Sequence, residues 1–186
     1  MIDLERFLQQ ALEPTLAAIV GMEERVSRSV RSVLAEIREH LVDPEYTVGD
    51  LMRNLGASGN NWLASEFKAA MGLTLWVFIQ EMRLLVAARL LRDTMVQVAD
   101  VVMLVGYVDL SSFSRLFQSW CGTTPSGFRK QTRELRRVAG AIPAGIFGWY
   151  YWRRCWNVEL SVEEVRELVA YLGRLRGLAE AIASAE

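Results

Sequence analysis

The chain has 186 residues, of which 52% are hydrophobic and 23% are charged, which is the composition of a folded globular protein. Its 21 lysine and arginine residues are balanced by 22 aspartate and glutamate residues, so the formal net charge of -1 offers no global attraction for a polyanion. Residues 41–137 nevertheless carry 11 basic and 9 acidic residues between two acidic flanks, which is compatible with a local basic stripe.

Apolar residues at three- and four-residue spacing recur along the chain and predict an all-α fold of eight to ten helices. The first predicted helix runs from Asp3 to about Glu13 and stops at Pro14, because proline cannot donate an intrahelical hydrogen bond. A second run ends near Leu41 and carries a heptad-like seam. The seam consists of Leu16, Ile19, Val26, Val30, Val33 and Ile37. Such a seam either packs a helix on its own domain or joins two copies of the chain, and both interpretations stay open.

Two segments about fifty residues apart then repeat one pattern. Each has an apolar helix, a turn at a glycine, and a second helix whose polar N-terminus precedes an aromatic anchor. The first turns at Gly56 and is anchored by Phe67, and the second turns at Gly106 and is anchored by Phe113. The pattern predicts two helix-turn-helix units, in which the glycine permits the sharp turn and the second helix offers its front end to a DNA major groove.

The segment that joins the two units, Leu75 to Leu91, is apolar on one face and predicts a linker helix. Beyond the second unit, residues 139–156 are rich in aromatic side chains and predict a docking patch or a small core. Ser161 and Glu164 then form a capping box ahead of a C-terminal helix. That helix has a second heptad-like seam, made of Val165, Leu168, Leu172, Leu175, Ala179 and Ile182.

Residues that carry redox, metal or acid-base chemistry are few. Cys121, Cys155 and His40 match no metal-ligand spacing, so we expect no catalytic site, no metal site and no cofactor. The N-terminus lacks an export signal, which predicts a cytoplasmic protein. The longest apolar stretch, Val138 to Trp152, is about 15 residues against the ~20 that a membrane-spanning helix needs, so no membrane partner is expected.

The second unit and the linker resemble the AraC/XylS family of helix-turn-helix transcriptional regulators. The matching residues are Gly106, Tyr107, Asp109, Ser112, Phe113, Ser114, Arg115, Phe117, Gly122, Thr124, Pro125, Phe128 and Arg129, with Glu81, Met82, Arg83, Leu84, Ala87, Ala88, Arg89, Leu90 and Leu91 in the linker. The resemblance covers about 100 residues and implies two reading helices in successive major-groove turns of double-stranded DNA. It predicts an N-terminal extension at 1–29, a DNA-binding domain at 30–137 and a C-terminal segment at 138–186.

The resemblance also implies which residues meet DNA. The predicted base-reading residues are Asn60, Asn61, Ala64 and Ser65 in the first unit, and Leu110, Ser111, Ser114 and Arg115 in the second. The predicted phosphate contacts are Lys68, Arg129, Lys130, Arg133, Arg136 and Arg137. Any of these can instead be an ordinary helix cap or a solvated charge. The aromatic residues of the units are interpreted as core rather than as base-stacking groups: Trp62, Phe67, Phe113, Phe117 and Trp120.

Two features set the first unit apart from the family pattern. Its connection from Gly56 to Leu63 is one residue longer than the common form, and Glu66 would repel a phosphate if it faced outward. These features keep a second hypothesis open, in which a degenerate unit no longer binds DNA and serves protein interaction or oligomerisation. A third, a DNA-repair methyltransferase with a similar DNA-binding unit, is disfavoured because neither cysteine lies between proline and histidine. The leading hypothesis is a sequence-specific regulator, with a possible homodimer through its terminal helices.

Overall fold

The computed structural model describes residues 3–59 and 61–139, with side chains as far as Arg133. These residues form eight α-helices and no strand, which confirms the predicted all-α fold. The helices are α1 (Leu4–Glu23), α2 (Arg28–His40), α3 (Val48–Asn54), α4 (Asn61–Met71), α5 (Leu75–Asp93), α6 (Val98–Leu104), α7 (Leu110–Cys121) and α8 (Pro125–Ala139). The chain divides into two compact units, residues 1–129 and 130–186. The predicted aromatic segment and C-terminal helix lie outside the described residues.

The first helix does not stop at Pro14, contrary to the prediction. α1 continues through the proline, and the break comes at residues 24–27. A proline inside a helix costs about 3 kcal/mol, but α1 buries Leu12 before it and Ile19 after it, and this burial offsets the loss. The next helix begins where the Ser27 hydroxyl accepts a hydrogen bond from the Val30 backbone N–H at 3.3 Å. Proline therefore marks an exposed position of one continuous helix.

The N-terminal seam is covered by the chain itself. α1 packs on both α2 and α5. Ile19, Val30, Val33 and Ile37 are each 2% exposed or less. Of the two interpretations of the seam, packing within one domain is therefore the one that the structure supports.

The predicted linker helix is confirmed as α5, which contacts α1, α4 and α6. Eleven of its 19 residues are buried. Arg89 of α5 donates a hydrogen bond to the Thr15 hydroxyl of α1, and burial lowers the pKa of this guanidinium to about 10. α5 thus packs against the N-terminal helix and against one helix of each helix-turn-helix unit.

Arg83 connects α5 to the backbone of the α2–α3 connection and to the turn of the second helix-turn-helix unit. Its guanidinium donates to the carbonyl oxygens of Leu41 and Asp43, each at 2.7 Å, at the approach to α3. It also donates to the carbonyl oxygen of Gly106 at 3.1 Å, in the turn of the second unit. The guanidinium carbon lies 5.8 Å from the centre of the Tyr107 ring, within the range of a cation–π contact. One side chain therefore ties the segment that leads into α3 and the turn of the second unit to the same point of α5.

Within residues 3–59 and 61–139, no single helix is long and apolar enough to cross a bilayer. The pair α4 and α5 reaches the required length and composition together, with a bend of 50° between the two helices.

Candidate nucleic-acid interface

The first helix-turn-helix unit consists of α3 and α4. α3 begins with a capping box, in which the Thr47 hydroxyl accepts from the Asp50 N–H at 3.2 Å and the Asp50 carboxylate accepts from the Thr47 N–H at 3.0 Å. The Thr47 hydroxyl also donates to the Asp50 carboxylate at 2.5 Å, and this bond, together with the one from the Thr47 N–H, lowers the pKa of the Asp50 carboxyl. α4 buries Leu63, Phe67 and Met71, which follow one another at four-residue spacing. The opposite side of α4 therefore faces outward.

The second unit consists of α6 and α7. The Asp109 carboxylate accepts the Ser112 N–H at 2.5 Å and so caps α7. Hydrogen bonds from the Ser112 side chain and backbone hold the pKa of this carboxyl below its usual range. α7 buries Phe113 and Phe117, again four residues apart. The two reading helices thus share one design, with buried anchors on one side and an exposed arc on the other.

Aromatic contacts fix the orientation of α7. The Phe117 ring lies 5.6 Å from Phe113, 5.7 Å from Trp120 and 5.5 Å from Phe128, measured between ring centres. The indole N–H of Trp120 donates to the Glu81 carboxylate at 2.5 Å, which ties α7 to the linker helix. Burial raises the pKa of Glu81. A helix held at several buried points presents its exposed arc at a fixed angle.

The turns of the two units each contain a glycine with a positive φ, Gly56 and Gly106. The buried anchors of both units follow this glycine at the same spacing, 7 and 11 residues later: Leu63 and Phe67, and Phe113 and Phe117. Gly106 has a φ of +80°, and a Cβ added there would lie 2.8 Å from the Val42 carbonyl oxygen. Only glycine fits this close approach of two backbone segments.

Most of the predicted base-reading residues lie on the exposed arcs. Asn61 and Ser65 are exposed on α4, and Leu110, Ser111 and Arg115 are exposed at the front of α7. Two others, Ala64 and Ser114, are half-buried at the edges of these arcs. Asn60 lies outside the described residues.

Glu66 does not face outward. One of its carboxylate oxygens accepts the Ser27 hydroxyl at 2.7 Å, and the other is buried. The acidic group is therefore turned toward the start of α2, and the repulsion of phosphate that it would cause on the outer arc does not arise.

Among the predicted phosphate contacts, Lys68, Lys130 and Arg133 have exposed side chains. Arg129 is placed differently, because its half-buried guanidinium donates to the carbonyl oxygens of Leu91 and Val96. This side chain bridges the end of α5 and the segment before α6, so part of its hydrogen-bonding capacity holds the fold together. The side chains of Arg136 and Arg137 lie outside the described residues.

Exposed positive charge on the reading helices is sparse. α4 contributes Lys68 and α7 contributes Arg115, and neither described helix has a second lysine or arginine. The two helices therefore do not form a strongly basic stripe. Recognition by this surface would depend on the shape and chemistry of the arcs as much as on charge.

Two exposed residues were missed by the sequence interpretation. Trp62 is 59% exposed at the front of α4, so the prediction that it belongs to the core is wrong, while Phe67, Phe113 and Phe117 are fully buried as predicted. Val108 is 80% exposed just before α7. Trp62 immediately precedes the buried anchor Leu63, so its side chain points away from the buried face of α4. The helical spacing of the anchors could therefore have identified Trp62 as an exposed residue.

Comparisons with known proteins match this region. A family model described as a helix-turn-helix domain matches residues 57–131. Transcriptional activator NphR of Rhodococcus sp is 33% identical over 124 residues, which are 67% of this chain and 35% of that protein. Regulatory protein SoxS of Escherichia coli (strain K12) is 32% identical over 100 residues, which are 54% of this chain and 92% of that protein.

The arabinose operon regulatory protein of Escherichia coli (strain K12) is 27% identical over 128 residues, 68% of this chain and 44% of that protein. Among solved structures, the C-terminal domain of AraT, a response regulator from Geobacillus stearothermophilus, matches with a TM-score of 0.54 and 24% identity. That match covers 57% of this chain and 88% of the solved one and supports the same all-α arrangement. The chain thus spans nearly all of SoxS but only about a third of NphR.

Proposed function

We propose that this chain, which belongs to the AraC/XylS-type helix-turn-helix family of DNA-binding transcriptional regulators, reads a specific DNA sequence with α4 and α7 in successive turns of the major groove. The observation that carries the proposal is the pair of exposed arcs on two similarly anchored helices. Both helices are positioned by one linker helix, α5. Chromosomal DNA of a bacterium lies in the cytoplasm, which is where we expect the protein to act.

The chemistry of each arc suits its part in recognition. Arg115 can donate two hydrogen bonds to a guanine, and Asn61 can pair with the edge of an adenine. Lys68 needs only proximity to a phosphate, as do Lys130 and Arg133 on α8. The serine residues on both arcs add adaptable hydrogen bonds to bases or phosphates.

Replacing Arg115 with alanine should weaken binding to the preferred duplex by about 1–3 kcal/mol, because a bidentate base contact is lost. Lys68→Ala should act evenly on all sequences and reduce the slope of log affinity against log salt by about 0.9, as expected for one phosphate contact. Both effects can be measured by fluorescence anisotropy at several salt concentrations, on the preferred duplex and on a shuffled one.

Arg25→Ala is the matched control, because it removes the same charge from an exposed residue of the α1–α2 connection, outside both reading helices. It should leave affinity and salt slope near their wild-type values. An equal loss in Arg25→Ala and Arg115→Ala would refute a reading role for Arg115. Absence of binding to any duplex near 50 mM salt, where screening is weak, would refute DNA binding itself.

A second candidate function is a protein-interaction module. It is favoured by the sparse positive charge of the arcs and by exposed apolar residues at the front of each reading helix, Trp62 at α4 and Val108 and Leu110 at α7. Large exposed apolar side chains are typical of protein-protein contacts. The failure of DNA binding in the experiment above would leave this candidate in the lead.

Homodimerisation through the terminal helices is a further proposal. Four of the six residues of the N-terminal seam are already buried within the chain, so the proposal rests on the sequence of the C-terminal seam at residues 165–182, outside the described residues. Light scattering should then give twice the chain mass of 21.1 kDa, and the double substitution Leu168→Asp and Leu172→Asp should give the single mass. A wild-type protein that is monomeric at micromolar concentration would rule the dimer out.

A further inference from the structure

An apolar pair flanks the residue that caps the second reading helix. Val108 is 80% exposed and Leu110 is 45% exposed, on either side of Asp109. The exposed residues that follow on α7 are all polar: Ser111, Ser112, Arg115, Gln118 and Ser119. We infer that Val108 and Leu110 read thymine, by packing against its C5 methyl group in the major groove. This inference rests on the proposed DNA-binding function.

The backbone around Val108 and Leu110 is fixed by hydrogen bonds and by packing. Between these two residues, the Asp109 carboxylate accepts a hydrogen bond from the Ser112 N–H. On the other side, Tyr107 packs its ring 5.2 Å from Phe113, and the Gly106 carbonyl accepts the Arg83 hydrogen bond. The backbone on both sides of Val108 is therefore anchored. An apolar contact made by a pre-positioned side chain loses little free energy to ordering on binding.

The chemistry of the major groove selects thymine among the four bases. All four bases present hydrogen-bond donors or acceptors there, and thymine adds an apolar group, its C5 methyl. An apolar side chain gains a contact on that methyl, whereas on another base it covers only polar groups, which costs free energy. Val108 and Leu110 therefore favour thymine by attraction and disfavour the other bases by exclusion.

The position of Arg115 favours DNA over a protein as the occupant. Arg115 lies four residues after Ser111, so the two side chains share one face of α7. The Arg115 guanidinium lies on this face, next to the apolar residues at the front of the helix. It can bind a guanine or a phosphate while those residues contact a neighbouring thymine. The protein is thus equipped to read a polar and an apolar group with one helix.

The test uses the full chain and a preferred duplex selected from a random pool. Each thymine in turn is replaced by deoxyuridine, which removes only the methyl group. At one or two positions, wild-type affinity should fall about three- to fivefold, the effect of burying one methyl group. The double variant Val108→Ala and Leu110→Ala should bind the thymine duplex more weakly and should no longer distinguish thymine from uracil at those positions.

Met95→Ala is the matched control, because Met95 is an apolar residue that is 72% exposed and lies before α6. It should keep the full thymine-to-uracil ratio. Val108→Thr preserves the branched shape and should also reduce the ratio, so the test stands even if the double variant unfolds. Thermal unfolding of each variant checks that the fold is kept.

The outcomes separate the two proposals. If no duplex is bound, DNA binding fails and the thymine contact falls with it. If a duplex is bound but uracil substitution has no effect, or the Val108 and Leu110 variants keep the wild-type ratio, the thymine contact is overturned while DNA binding stands. In that second case, contact with a protein partner becomes the leading explanation for the exposure of Val108 and Leu110.

Discussion

Replacing Phe117 with alanine should lower the free energy of unfolding by about 3–5 kcal/mol, the usual effect of deleting a fully buried phenylalanine ring. Phe117 is 0% exposed and is in ring contact with Phe113, Trp120 and Phe128. The substitution leaves a cavity that these neighbours can fill only in part. Because domains of this size are stable by only about 5–15 kcal/mol, the loss should be visible directly in urea denaturation.

Phe7→Ala makes the same chemical deletion at a half-buried position of α1. It should cost less, on the order of 1 kcal/mol, because less apolar area is returned to water. Equal losses in the two variants would mean that the aromatic cluster around α7 is not a tightly packed core. The same denaturation experiment decides between these results.

Gly106→Ala should be the other strongly destabilising substitution, with a loss of about 3 kcal/mol or more. Alanine at a φ of +80° costs about 1–2 kcal/mol by itself. Its Cβ would also lie 2.8 Å from the Val42 carbonyl oxygen and 3.1 Å from the Arg83 guanidinium carbon, so the two backbone segments must separate. That movement would strain the hydrogen bonds of Arg83 as well.

Gly56→Ala isolates the conformational part of this effect. Gly56 has a φ of +64°, but a Cβ added there meets no atom within 4 Å. Its substitution should cost only the backbone term of about 1–2 kcal/mol. If Gly106→Ala were no more harmful than Gly56→Ala, the close approach of the second turn to Val42 would not contribute to stability.

Much of the fold could be predicted from periodicity and turn residues. The linker helix and both helix-turn-helix units follow from buried anchors at four-residue spacing and from glycines at the turns. Pro14 misled the prediction, because the penalty for proline is local whereas burial on α2 and α5 is a tertiary effect. The seam at Ile19 and Val30 could not be assigned to its own domain or to a partner from sequence, since both use the same spacing.

The candidate site was predicted less completely. Exposure of Arg115, Ser65 and Asn61 follows from the helical period. The position of Arg129 could not be predicted in this way, because its hydrogen bond to the carbonyl of Leu91, 38 residues away, has no local sequence signal. Glu66 likewise finds its partner 39 residues earlier in the chain. Contacts of such separation depend on how helices pack and are absent from any window of sequence.

The anchoring of both units on α5 has a consequence for the DNA. Two reading helices held by one helix keep a fixed separation. In the proposed binding mode they enter successive major-groove turns, which are about 34 Å apart. A protein that keeps this separation fixed leaves any adjustment to the duplex, and bending a site by 40–90° costs about 1–6 kcal/mol. Flexible pyrimidine-purine steps lower that cost, so part of the sequence preference should reside in base pairs that no side chain touches.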